Sequence, residues 1–131
     1  MKEIRKREAS LNRSIWSEVL TEAKEILADQ AEMNDLIRSY VLDHQDLDSS
    51  LAFILGEKLG NSHMTATIIN KFAKEAYSKT KLISLAYCDI TAVKERDPAC
   101  VRFVQPLLYF KGFQALQAYR LSNHLYTQGK E

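Results

Sequence analysis

Residues 88–120 read CDITAVKERDPACVRFVQPLLYFKGFQALQAYR, and this stretch decides the fold. Apolar residues leading into it and along it recur at three- and four-residue steps, as in Ala86, Ile90 and Val93. That is the period of a helix, and the strict alternation of a strand is nearly absent. Asp97-Pro98 interrupts the pattern. A residue before proline is pushed out of the helical region, so a helix arriving from about Thr80 ends by Arg96 or Asp97. Pro106 is tolerated in the first turn of a new helix. That helix is expected from about Pro106 to about Gln128. In its first half Leu107, Leu108, Tyr109, Phe110, Phe113, Leu116 and Tyr119 surround the axis. A helix apolar all round is buried on more than one side. One side fits its own bundle; the other calls for a subunit or a following domain.

Working outward, the same period continues towards the N-terminus. Ile15, Val19, Ala23, Ile26 and Leu27 form one face, with Trp16 and Leu20 beside it. Met33, Leu36, Ile37, Tyr40 and Val41 form a second. A third helix is expected after Asp48 as N-cap, carrying Leu51, Ile54, Leu55 and Leu59 and stopping at Gly60-Asn61. Ile68, Ile69, Phe72, Ala76 and Tyr77 mark a fourth. The connections are short, so neighbours should run roughly antiparallel. The sequence therefore predicts an all-α fold, a compact bundle of about six helices. Residues 1–10 are expected to fray, and residues 11–131 to form one helical domain. The four glycines, at 56, 60, 112 and 129, follow no repeat, and nothing resembles the six-residue period of a β-helix.

The totals narrow the function. A chain of 131 residues can bury a real core. A formal net charge of +1 gives no electrostatic reason to expect nucleic acid or an anionic membrane. A helix-turn-helix DNA-binding domain lacks its basic recognition helix. No apolar run approaches the roughly 18 residues of a membrane helix, and the charged N-terminus has no signal-peptide core. The expected location is the cytoplasm. Cys88 and Cys100 are then reduced thiols, read as buried small hydrophobes. They fit no zinc spacing, and no metal is expected.

Asp97 is the candidate for chemistry, and local sequence leaves two readings open. An Asp before a Pro makes a good N-cap, with Pro98 at the first helical position. A carboxylate at a helix break can also face outwards, where it can pair with an ammonium or accept a hydroxyl hydrogen bond. Asp89 reads as a boundary carboxylate with an ion-pair partner on its own helix. His44, His63 and His124 read as surface or capping residues, so no serine–histidine triad is supported. Lys111-Gly112 lacks the glycine-rich loop of a phosphate site. Gly112, inside an apolar stretch, reads as a place of close helix–helix approach.

Arg96-Asp97-Pro98-Ala99, Cys88-Asp89-Ile90 and the run Leu107–Arg120 together resemble the N-terminal helical domain of bacterial serine O-acetyltransferases. The recognisable motifs cover about residues 83–128. Gln114 departs from the family, where a histidine often follows KGF. Gln105 departs too, standing where Ser or Thr is common before the proline. The resemblance implies an enzyme that moves an acetyl group from acetyl-CoA to L-serine at the start of cysteine synthesis. It implies a left-handed β-helix after the helical domain, carrying the catalytic histidine and the acetyl-CoA site. This segment would then hold no catalytic residue and no cofactor of its own, and would not turn over alone. Asp97 and Pro98 would be its substrate-binding residues, serving L-serine and the feedback inhibitor L-cysteine. Trimers of β-helices would join through the helical domains into a hexamer. An O-acetylserine sulfhydrylase partner would engage the far C-terminus. The competing expectation is a standalone helical interaction module without catalytic activity.

Overall fold

The computed structural model describes residues 2–128. These form seven α-helices and two short helical turns, and no strand occurs among the described residues. The all-α expectation holds, with one helix more than the six counted from sequence.

Helix α1 spans Lys2–Asp29. Ile15, Trp16, Val19 and Ala23 recur on one face and are buried. Residues 2–10 form the exposed first turns of this helix.

The second amphipathic stretch is not one regular helix. A 3-10 turn (Ala31–Met33) leads into α2 (Asn34–Ile37), which runs into a π-type turn (Arg38–Leu42). Polar side chains compete for the carbonyls there. The Ser39 hydroxyl donates to the Asp35 carbonyl at 2.7 Å, and the Ser50 hydroxyl to that of Tyr40. Hydroxyl groups that take ladder carbonyls in this way loosen regular winding. His44 ties the turn down. Its Nε2 donates to the Ser39 carbonyl at 2.8 Å, and its Nδ1 accepts from the Ser49 hydroxyl at 2.7 Å.

Helix α3 spans Leu47–Leu59 and α4 spans Ala66–Lys79. The N-cap of α3 is Asp46, which accepts from the Ser49 N–H at 2.9 Å; Asp48, expected in that role, lies in the first turn. Gly60 ends α3 without the left-handed turn usual for a terminal glycine, since its φ is −63°. Space explains it. A Cβ on Gly60 would lie 2.7 Å from the Gly56 carbonyl oxygen and 2.9 Å from the Ala66 nitrogen.

Helix α5 spans Leu82–Arg96 and ends where the proline rule places it. The long final helix does not exist as expected. It divides into α6 (Gln105–Tyr109) and α7 (Lys111–Thr127), because Phe110 is extended, with φ −93° and ψ 98°. The Gln114 amide donates to the Leu107 carbonyl at 2.8 Å and so takes up a carbonyl that the break leaves open. This resolves the all-round apolar pattern. Leu107, Leu108 and Phe113 enter the core, while Leu116 and Tyr119 stay exposed.

One core joins the helices. Ile37, Leu51, Ile54, Leu55, Ile90 and Leu107 are fully buried within it. Cys100 is buried as expected, but Cys88 is exposed on α5, against the reading of both as core.

Candidate functional site at the end of α5

Asp97 closes α5 with an extended backbone, φ −96° and ψ 114°, and its N–H still donates to the Val93 carbonyl at 2.9 Å. No helix starts at Pro98, so Asp97 is not the N-cap that the Asp-Pro pair predicts. Its carboxylate folds back instead. Oδ1 accepts the Ala99 N–H at 2.9 Å, and the Asp97 carbonyl accepts the Cys100 N–H at 2.9 Å. Asp97 is exposed, and among the described residues none donates a hydrogen bond to Oδ2.

The loop that follows is non-helical, yet its amides are spoken for one after another. The Gln105 side-chain oxygen accepts from the Val101 N–H at 2.7 Å and the Arg102 N–H at 2.8 Å. Glu22, on α1, accepts from the Phe103 N–H at 3.3 Å and the Val104 N–H at 3.1 Å. Arg102 pairs with Glu25 at 2.7 Å, also on α1. Lys94 lies 4.6 Å from the centre of the Phe103 ring. Every backbone N–H from Ala99 to Val104 thus has an acceptor. Such a loop holds Asp97 in one place without regular structure.

Glu22 is buried, and burial pushes its carboxyl pKa up. The two backbone N–H groups, first Val104 and then Phe103, pull the other way without cancelling the shift.

Asp97 stands at the rim of a broad open hollow of about 810 Å³. Val93 and Arg96 come from α5, and Asp97 and Pro98 from its end. Phe110, Gly112 and Phe113 face them from the α6–α7 corner. The walls are mostly apolar, with the carboxylate and the Arg96 guanidinium as the charged groups. That arrangement suits a small zwitterion, whose ammonium needs an anion and whose carboxylate needs a cation. No group of three or more metal-ligating side chains occurs among the described residues.

Asp89 links α5 to α7. Its expected same-helix partner is replaced by one on α7. Arg120 Nη1 lies 2.8 Å from Asp89 Oδ2 as an ion pair, and the Gln117 amide donates to the same oxygen at 2.6 Å. Arg120 Nη2 adds a longer contact of 3.4 Å to Oδ1. The Asp89 and Arg120 side chains are only 19% and 23% exposed, so the pair is screened less than a surface one. Asp89→Ala should cost about 1–2 kcal/mol in urea unfolding, and a double-mutant cycle with Arg120→Ala should show coupling. Additive single effects would mean that the pair does not bind the helices together.

Asp97, Pro98 and Arg96, read from sequence, meet in one place. The histidines do not: His44 braces a turn, and neither His63 nor His124 lines the hollow. Sequence reading missed Glu22 altogether, and named Gln105 and Gln114 without their hold on the backbone. A signal existed for Glu22, a carboxylate set among the buried Val19 and Ala23 and the half-buried Ile26 on one face of α1.

Comparison with known proteins gives one answer. The family described as "Serine acetyltransferase, N-terminal" matches residues 15–118. The serine acetyltransferase of Haemophilus influenzae is 38% identical over 118 residues, which cover 89% of this chain and 44% of that enzyme. The serine acetyltransferase of Escherichia coli K12 is 38% identical over 117 residues, covering 88% and 43%. Among solved structures, a serine acetyltransferase in complex with cysteine superposes with a TM-score of 0.87 at 38% identity, covering 91% of this chain and 50% of that one. Soybean serine acetyltransferase complexed with serine gives 0.86 at 34% identity, covering 91% and 49%. A complex with CoA gives 0.86 at 38% identity, covering 91% and 51%. The chain thus spans less than half the length of the curated relatives it matches. With the match running through both α5 and the Asp97 loop, the chain belongs to the serine acetyltransferase N-terminal family.

Proposed function

We propose that this domain supplies the amino-acid side of a serine O-acetyltransferase and part of its assembly surface. In that reading Asp97 binds L-serine by its ammonium or hydroxyl, with Pro98 shaping the same rim. L-cysteine competes there as inhibitor. Acetyl-CoA and the acid–base group belong to the half of the enzyme that lies beyond the matched segment. The observation that carries the reading is the exposed Asp97 carboxylate, fixed by a loop with no unpaired amide from Ala99 to Val104, at the rim of an open hollow. The relatives solved with serine and with cysteine support the ligand class. Leu116, Tyr119 and Tyr126 on α7 are 40%, 67% and 66% exposed, an apolar stripe suited to contact between copies in a homo-oligomer. The reading places the enzyme in the cytoplasm. No helix among the described residues is long and apolar enough to cross a membrane.

Asp97→Asn isolates the charge. The Asn side-chain oxygen can still accept the Ala99 N–H, so the loop should persist. In the full-length polypeptide, serine and cysteine should bind about tenfold more weakly, the effect of losing one charge-assisted hydrogen bond. Acetyl-CoA affinity should stay unchanged. Binding assays that show equal losses for all three ligands would return Asp97 to a purely structural role.

A further inference from the structure

Gly112 is the second residue of α7, and nothing inside this domain asks for a glycine there. An added Cβ would meet no atom within 4 Å, and the backbone does not adopt the left-handed conformation that favours glycine. The contrast is with Gly56 and Gly60, where an added Cβ would come within 2.7 Å of a carbonyl oxygen. A glycine in a helix lowers its stability relative to alanine. The domain thus carries an unfavourable residue at an exposed site, without benefit to its own packing.

The position of Gly112 suggests what it is kept free for. It lines the hollow beside Phe110 and Phe113, opposite Asp97. We propose that Gly112 is a contact point for the other half of the enzyme, which seats main chain against α7 and covers the Asp97 hollow. The occupant is chosen from two facts. This chain spans 44% of the Haemophilus influenzae enzyme, so more than half of that protein lies outside the matched segment. The hollow is open and Gly112 in its wall is exposed, and a serine site that excludes water needs a cover. Glycine permits backbone to approach more closely than any other residue does. The inference rests on the reading of Asp97 given above.

The test uses Gly112→Ala and Gly112→Leu in two settings, with Asp97→Asn as the reference. In the 131-residue chain both Gly112 variants should melt at or above the parent temperature, because the space is open and alanine and leucine favour helix. In the full-length native polypeptide kcat/KM for serine should fall at least about tenfold for Ala and further for Leu, as side-chain bulk enters a packed contact. Full activity in both Gly112 variants, with serine binding still weakened by Asp97→Asn, would overturn this contact and leave the serine site standing. Full serine binding in Asp97→Asn as well would remove the serine site too. A lowered melting temperature in the 131-residue chain would show that the glycine serves the domain itself. An intact mass of 15.0 kDa for the native polypeptide would leave no second half to make the contact.

Discussion

Glu22→Ala should destabilise the domain by about 3 kcal/mol at neutral pH, visible as a shift of the urea midpoint. The Val104 N–H is buried, that of Phe103 partly so, and both take Glu22 as their acceptor. Alanine leaves both without one, at about 1–3 kcal/mol for each buried orphan. The slope of unfolding with urea should stay constant, since the surface exposed on unfolding barely changes. The effect depends on pH in a definite direction. Burial raises the Glu22 pKa in the folded protein, so the native state holds this proton to higher pH than the unfolded chain does. The associated stability is fully present below the unfolded pKa and is lost as pH rises through the raised folded value. Parent and variant should therefore differ more in acid than at neutrality. A difference that grew with rising pH would mean that the hydrogen bonds, not burial, dominate this carboxyl.

Gly56→Val should cost about 3 kcal/mol and lower the melting temperature by about 10 °C. The cause is backbone against backbone. A Cβ on Gly56 would lie 2.7 Å from the Ala66 carbonyl oxygen and 3.4 Å from its carbon, and neither can rotate away. Helices α3 and α4 would have to separate, opening the layer built by Leu51, Ile54, Leu55 and Ile69. Valine adds the poor helix propensity of a branched side chain. Calorimetry on the 131-residue chain gives the answer directly. An unchanged melting temperature would show that the two helices can slide apart without loss, and that their close approach is incidental to the core.

The helices were legible because each carries a buried face at the helical period. Ile15, Val19 and Ala23 in α1, or Leu51, Ile54 and Leu55 in α3, are read from spacing and found in the core. The end of α5 was legible from Pro98 alone. The break at Phe110 was not, because no proline stands at it and the nearby Gly112 falls within an otherwise continuous apolar helical pattern. An extended aromatic residue there is set by tertiary packing and by Gln114 reaching back to Leu107. The irregular Ala31–Leu42 stretch was hidden for a similar reason, since its hydroxyl groups act on carbonyls only in the folded arrangement. At the site, the residues of the Asp97 motif were legible but their geometry was not. An Asp-Pro pair can cap the next helix or fold into a turn, and the choice depends on what receives the following amides. Those acceptors are Asp97 itself, Gln105 and, from far away in sequence, Glu22. Gln105 and Gln114 both hold backbone, Gln105 in the loop after Asp97 and Gln114 at the break between α6 and α7.

The Glu22 anchor also bears on the order in which the molecule assembles. It joins positions 81 and 82 residues apart, whereas α3 and α4 meet across a six-residue connection. Closing the longer ring has the larger entropic cost, and that cost falls due before its two hydrogen bonds form. The α3–α4 hairpin can therefore gather early, on local contacts. The Asp97 loop has to wait until α1 and the α5–α6 region have come together. A chain still emerging from the ribosome carries α1 to α5 before it carries the Gln105 side chain that fixes the Asp97 loop, so the setting of this carboxylate comes late in assembly.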